Sequence, residues 1–299
     1  MPLTHNPIPC TLNQFITTTL LTLLVTATTF AGDMVYELQL RHAIGRHNLA
    51  PMTIVLQSKD GKLHQGFAIA PHVYPEPSYD FDFDDLTLDA NRIHGKIKAA
   101  WRTGVYNQHP ERPQLHATNH FTIDVNFADT TGTGKATGTL TVPNPGRSPR
   151  VTEVPETIIE AVRRPAQTYP TDVQFEFPVY YPSQAKGFGW LNLRFTTHKG
   201  RANNGFALYR TNRVKSSPVD IKATFDGQTL AARWTSDLAG TQTTYEVKGT
   251  AIDRYVTYQV KMTANGSTWK CDGHGRLNLS PRRLPERAPA TTRNQSLHH

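Results

Sequence analysis

Four aspartates fall within six residues of one another, and phenylalanines alternate with the first three of them. In a strand, alternate residues point to the same face, so Asp80, Asp82 and Asp84 are expected to share one side, with Asp85 following. Grouped carboxylates are typical of a calcium site, or of a glycosidase, whose two carboxyls stand about 5–10 Å apart. An exposed strand with its polar side in water has the same pattern. Asp82 and Asp84 are the candidate catalytic residues, and the solvated strand is the simpler interpretation.

A second cluster is aromatic: Tyr180, Tyr181, Phe188 and Trp190 lie in a segment that contains Pro and Gly. Rings on a rigid β scaffold stack on sugar faces while neighbouring polar groups bind hydroxyls. Rings of this kind also close the end of a β core, which is the commoner fate of large aromatic residues. We predict that Tyr180, Tyr181 and Trp190 bind a ligand, with core packing as the alternative.

Histidine and cysteine favour neither a metal site nor a thiol nucleophile. His116 and His120 are four residues apart and share strand parity with Asp124. Positions i and i+4 of a strand are about 13 Å apart, too far to share one zinc ion. Cys271 is left without a partner if the N-terminal segment is removed, and His274 falls on the opposite face of a strand from it. The sequence predicts no metal and no cofactor.

Motifs of the common enzyme classes are missing from the sequence. It contains no Gly-x-Ser-x-Gly, His-Glu-x-x-His or Cys-x-x-Cys, no phosphate-binding loop and no dinucleotide-binding glycine pattern. A glycosidase, lyase or isomerase with dispersed residues would leave no such trace. An enzyme acting on carbohydrate therefore stays an alternative.

The elements that must carry these residues are strands. Short alternating runs are separated by Gly, Pro, Asn and Asp, with hairpin turns expected at Asp226-Gly227 and Asn265-Gly266. Gly66-Phe67-Ala68 reappears as Gly205-Phe206-Ala207, and Gly138-Thr139-Leu140 is echoed at nearly the same separation by Gly275-Arg276-Leu277. We predict an all-β chain of two tandem, weakly repeated antiparallel domains, each a β-sandwich or barrel-like.

The boundaries follow from composition. We predict a signal peptide at 1–31, a first β domain at 32–142, a Pro-rich linker at 143–171, a second β domain at 172–280 and a disordered basic tail at 281–299. The linker contains a helix-capable stretch at 156–164.

The N-terminal segment resembles an export leader. The run 15–30 is apolar and rich in Thr, and it ends at the small residue Ala31. It is shorter than the roughly 20 residues that span a bilayer. Its start is atypical, because no Lys or Arg precedes Ala31. We expect cleavage near Ala31 and an extracytoplasmic location, periplasmic or secreted, with no membrane span in the mature chain.

The net charge of +8 is uneven. Residues 33–142 carry −2, whereas residues 172–280 carry +6. A basic second half suits an anionic envelope surface or an acidic glycan as partner, and a solvated surface that keeps the protein soluble is the simpler interpretation. No motif that reads a nucleic-acid sequence is present.

These features favour an exported, non-catalytic binding protein for a glycan or another envelope component. One alternative is a carbohydrate-active hydrolase or lyase that uses dispersed acidic residues. The other is a structural or assembly component that associates through its sheet edges.

Overall fold

The protein is built from antiparallel strands. The computed structural model describes residues 32–44, 48–69, 79–101, 106–107, 117–144, 146–167, 169–183, 187–210, 214–238 and 240–278. Within these ranges, the regular structure is β, and no helix is long and apolar enough to cross a membrane. The predicted leader and basic tail lie outside the described residues.

Twenty strands are described. The first ten are β1 (Met34–Ile44), β2 (Asn48–Lys59), β3 (Lys62–Ile69), β4 (Tyr79–Asp82), β5 (Leu86–Asp89), β6 (Arg92–Trp101), β7 (Tyr106–Asn107), β8 (Thr118–Ala128), β9 (Thr131–Val142) and β10 (Arg150–Pro165). The others are β11 (Gln174–Ser183), β12 (Gly187–Thr196), β13 (Arg201–Ala202), β14 (Gly205–Arg210), β15 (Val214–Val219), β16 (Ile221–Phe225), β17 (Thr229–Leu238), β18 (Thr241–Ile252), β19 (Tyr255–Ala264) and β20 (Ser267–Asn278).

The strands form two curled sheets. The first has the order β3-β2-β1-β10-β9-β8-β6-β4, with β5 also paired to β6. The second has the order β13-β16-β17-β18-β19-β20-β11-β12-β14-β15, with β7 also paired to β20. In the first sheet, β3 curls round toward β4 and β5, which gives it a barrel-like shape. The predicted all-β architecture of two tandem antiparallel domains is confirmed.

The two sheets share one topology. In each, the first strand pairs with the last: β1 with β10, and β11 with β20. Beyond β1 and β11, the sheets extend by β2-β3 and by β12-β14, to which β15 is added in the second sheet. On the other side, a meander of four strands follows β10 (β9-β8-β6-β4) and β20 (β19-β18-β17-β16). Gly66 in β3 and Gly205 in β14 hold equivalent positions, which supports the first cue for a repeat. Gly138 and Gly275 do not, because β9 corresponds to β19 and not to β20.

The predicted linker is wrong over most of its length. Residues 150–165 form β10, the longest strand, which pairs with β1 and β9 and belongs to the first sheet. The helix-capable stretch is part of this strand, because Ile159, Ala161 and Arg163 are buried alternately. Its prolines do not break the sheet: Pro155 lies where the β9 register shifts at a bulge, and Pro165 ends the strand.

Each sheet encloses its own apolar core. In the first, Leu38, Ile54 and Phe121 are among the largest fully buried side chains. The second is more aromatic, and in it Trp234 stacks on Tyr245 with ring centroids 4.6 Å apart. Asn265 and Gly266 both have positive φ in the turn between β19 and β20, as the predicted type I′ hairpin requires.

The two bodies meet along the outer face of β1, β2 and β3. Five consecutive residues are buried in β1 (34–38) and five in β2 (52–56), which requires both faces of the sheet to be covered. A small apolar cluster joins the bodies, and within it Phe67 of β3 lies edge-on to Tyr255 of β19 at 5.7 Å.

Charged residues close the same interface. The buried Glu37 accepts hydrogen bonds from Arg164 at 2.9 Å and from Arg254 at 3.0 and 3.1 Å. Arg164 also donates to Asp253 in the turn between β18 and β19. The first sheet is thus tied to the tip of one hairpin of the second.

A strand also crosses between the bodies. β7 lies between β6 and β8 in the chain, yet it pairs with β20 of the second sheet at Trp269 and Lys270. β11 pairs with β20 only at Arg276–Asn278. The first half therefore contributes backbone to the part of β20 from which β11 has diverged.

Candidate functional site

A cleft lies where the two bodies face each other. Its floor is the outer face of β17–β20, where register places Lys248, Gln259 and Asp272 in one row across three strands. The intervening residues of these strands, such as Val247 and Val260, point into the second core. Strand alternation therefore presents the polar row to the cleft.

The cleft has a volume of about 470 Å³ and is lined from both halves. The first body contributes Gly66, Phe67, Asp80 and Phe81, and the second contributes Thr229, Lys248, Gly249, Thr250, Thr257, Tyr258, Gln259, Asp272 and Gly273. Hydroxyl, amide, ammonium and carboxylate groups thus lie beside two aromatic rings of the first body, those of Phe67 and Phe81. Such a lining suits a ligand that both donates and accepts hydrogen bonds.

Local contacts hold the floor in place. Gln259 donates from Nε2 to Asp272 Oδ1 at 3.0 Å, which joins the two side chains. Tyr258 donates its hydroxyl to the Pro178 carbonyl and so bridges β19 to β11. A Cβ at position 273 would lie 2.5 Å from the Tyr258 hydroxyl, so this position in β20 requires glycine.

The chain matches no family model and no curated protein. Among solved structures, the chain is similar to a crystal structure of a "putative AttH" from Nitrosomonas europaea, with a TM-score of 0.23 and 9% sequence identity. The match covers 83% of this chain and 92% of that one.

The cleft adjoins the apolar cluster that joins the two bodies. Phe67 belongs both to the cleft wall and to the cluster that joins the bodies. His274 lies opposite Thr257, shows no exposed surface, and contacts Tyr255 with ring centroids 6.2 Å apart. The width of the cleft therefore depends on how the bodies dock.

The aspartates of the β4 region are divided between two places. Asp80 lines the interdomain cleft, whereas Asp82 lines a different concavity on the first body. Asp84 lies in the turn after β4, and its backbone N–H donates to Asp82 Oδ1 at 3.2 Å. Asp82 thus has a local structural role, and the catalytic role of Asp82 and Asp84 stays a prediction.

The aromatic cluster lies on β11 and β12. Tyr180 is the cross-strand partner of Trp190, and Tyr181 is paired with Gly189, whose missing side chain leaves room for the ring. Tyr180 and Tyr181 pack against the second core, and burial raises the pKa of Tyr180 to about 12. None of these three rings lines the described cleft. Ligand binding by Tyr180, Tyr181 and Trp190 therefore stays a prediction.

Cys271 is buried in the second core beneath the cleft floor. Burial raises the pKa of its thiol to about 12, so it is a neutral thiol near pH 7. Among the described residues, no group of three or more His, Cys, Asp or Glu side chains is placed to hold a metal ion. His116 lies outside the described residues, and the side chain of His120 is exposed.

Sequence reasoning missed the floor of the cleft. Lys248, Gln259 and Asp272 each alternate with buried residues, which is also the pattern of a strand facing water. One available signal was the run Met52–Leu56 in β2, which is apolar except for Thr53, because near-continuous apolar runs are typical of strands buried on both faces.

Proposed function

We propose that this chain is an exported, non-catalytic binding protein that holds a hydroxyl-rich ligand, a glycan or a glycan-bearing envelope component, between its two halves. The observation that carries the proposal is the cleft of about 470 Å³, which both halves line. Ligand sites in proteins occur preferentially at such domain junctions.

The chemistry of the lining supports a sugar. Sugar hydroxyls donate to carboxylates and accept from ammonium and amide groups, and Asp272, Lys248 and Gln259 offer these in one row. Phe81, half-buried in the cleft lining and stacked on Phe83, offers apolar surface to the apolar side of a sugar ring. The basic second half suits a ligand on an anionic surface.

Retention on a panel of immobilised neutral and acidic polysaccharides tests the proposal. We expect saturable retention on at least one of them. Gln259→Ala and Lys248→Ala should each weaken binding to that polysaccharide about 10-fold. This is the typical effect of removing one hydrogen bond, and hydrogen bonds to a charged group such as the Lys248 ammonium are stronger. Lys261→Ala is the matched control, because Lys261 is exposed on the same strand as Gln259 but does not line the cleft.

Two results would contradict the proposal. One is a panel that shows no saturable retention. The other is that K248A and Q259A are retained as strongly as K261A. The polysaccharide would then bind to a surface outside the cleft.

A second candidate function is a carbohydrate-active enzyme, since two carboxylates, Asp80 and Asp272, line the same cleft from opposite bodies. It predicts turnover of an oligosaccharide that is lost in Asp80→Asn and in Asp272→Asn. Binding without turnover would favour the first function.

A further inference from the structure

The first sheet contains a notch beside the junction of β4 and β5, lined by Asp82, Asp85, Lys96, Lys98, His120 and Thr122 among others. β4 pairs with β6 up to Asp82 opposite Lys98, and β5 resumes the pairing at Leu86 opposite Gly95. Between these pairs, the three residues 83–85 of the β4–β5 segment lie opposite only two residues of β6, 96 and 97. The one extra residue is accommodated in a turn at 83–86, and this insertion, the bulge, resembles the β-bulges that often lie beside functional sites and redirect nearby side chains.

The bulge is held by specific contacts. The Leu86 N–H donates to the Phe83 carbonyl at 2.8 Å, and the Asp84 N–H donates to Asp82 Oδ1. Gly95 has φ of 134°, and a Cβ there would lie 2.1 Å from the Asp85 carbonyl oxygen. The backbone of the bulge thus packs against a position that only glycine can fill.

The internal repeat shows that the topology does not require this bulge. The corresponding hairpin of the second body, β16–β17, runs in unbroken register from Ile221 opposite Trp234 to Phe225 opposite Leu230. The same strand arrangement is therefore built without a bulge, although the outer face of β16–β18 also forms a concavity, lined by Lys222, Arg233 and Glu246 among others. Within the described residues, the bulge is specific to the first half.

The notch is a concavity of about 440 Å³, in which the basic side chains come from β6 and β8 and the acidic side chains from the β4–β5 segment. β6 contributes Lys96 and Lys98, β8 contributes Thr122 and His120, and the bulge side contributes Asp82 and Asp85. Lys98 is the cross-strand partner of His120, and Lys96 of Thr122, so these four side chains form a compact group.

The charged and polar groups of the notch favour one class of ligand. The lysines, His120 and Thr122 provide donors for an oxyanion. Asp82 and Asp85 balance the two lysine charges, which disfavours a dianion such as phosphate, and they accept hydrogen bonds from hydroxyl groups. We propose that the notch is a second binding site, separate from the cleft, for a monoanionic carboxylate that carries neighbouring hydroxyls, the chemistry of a uronic acid.

Nuclear magnetic resonance titration of the ¹⁵N-labelled protein with sodium glucuronate tests the site. Glucose, which lacks the carboxylate, and acetate, which lacks the hydroxyls, are the matched ligands. We expect saturable glucuronate shifts centred on the amides of 95–98 and 120–122, and at least about tenfold weaker binding of the other two.

Two variants then assign the donors. Lys98→Met removes the charge and keeps the length of the side chain, and Thr122→Val removes only the hydroxyl. We expect glucuronate to bind about tenfold more weakly to K98M, with a smaller loss for T122V. Lys222→Met is the control, because Lys222 is an exposed lysine in the unbroken hairpin of the second body.

The proposal is overturned if K98M binds glucuronate as well as K222M does, or if the shifted amides centre on Gln259 in the cleft. Equal binding of glucose or of acetate would overturn it too, since the carboxylate or the hydroxyls would then not be recognised. Binding of a glycan in the cleft would not change how K98M and K222M compare in glucuronate binding. The cleft and the notch are therefore tested separately.

Discussion

Gly95 gives the sharpest test at the scale of single residues. Alanine there must accept φ of 134° and would place its Cβ 2.1 Å from the Asp85 carbonyl oxygen. We expect Gly95→Ala to lower the free energy of unfolding by at least about 2 kcal/mol, because backbone strain and a clash with main-chain atoms add. Urea denaturation followed by circular dichroism measures this loss.

The control is Gly61→Ala. Gly61 also has positive φ, 75°, but a Cβ there meets nothing within 4 Å. This variant should lose only about 1 kcal/mol, the usual strain of a left-handed residue. Equal losses in the two variants would mean that the bulge does not press on Gly95.

Residue patterns alone do not locate the end of a strand. Asp80, Asp82 and Asp84 were predicted to share one face, and β4 ends at Asp82, which leaves Asp84 in a turn. An aspartate whose carboxylate accepts a backbone N–H two residues on is typical of a turn. Because the same residue type suits a strand face, a turn and a catalytic pair, its role depends on partners distant in the chain.

At the scale of elements, β10 contains two adjacent isoleucines with opposite environments. Ile159 is fully buried in the first core, whereas Ile158 is 72% exposed. We expect Ile159→Ala to cost about 2–5 kcal/mol of unfolding free energy and Ile158→Ala less than about 0.5 kcal/mol. Chemical denaturation of both variants checks this, and similar losses would contradict the strand.

The fold class and several turns could be predicted because they depend on local information. The alternation of buried and exposed residues in a strand and the type I′ turn at Asn265-Gly266 are both determined by residues that are close together in the sequence. β10 could not be recognised in this way, since six prolines between positions 143 and 170 are also typical of a linker. Its strand conformation depends on pairing with β1, more than a hundred residues away.

At the scale of the whole molecule, the candidate cleft was beyond prediction for a related reason. Its two walls come from β3–β4 and from β17–β20, and their approach is set by how the bodies dock. Neither wall has a recognisable motif, because polar residues alternate in every exposed strand. The cleft exists only as a consequence of the interface.

Glu37 is the residue on which that interface should depend most. It is 4% exposed and accepts hydrogen bonds from Arg164 and Arg254, while Arg164 also binds Asp253 of the second body. Glu37→Gln keeps the shape and removes the charge, leaving Arg164 less well compensated. We expect a loss of about 3 kcal/mol in unfolding free energy, typical of breaking a buried ion pair.

Docking and ligand binding should be weakened together by this substitution, because Phe67 and the cleft wall are held by the same contacts. We expect E37Q to bind the cleft ligand more weakly, and saturating ligand to raise the midpoint of thermal unfolding in both proteins. Glu246→Gln is the control: its ion pair with Lys261 is exposed and should contribute less than about 1 kcal/mol. If E37Q loses stability but keeps full affinity, the cleft forms independently of the charged contact, and Phe67 with Tyr255 would be sufficient to hold the two bodies in place.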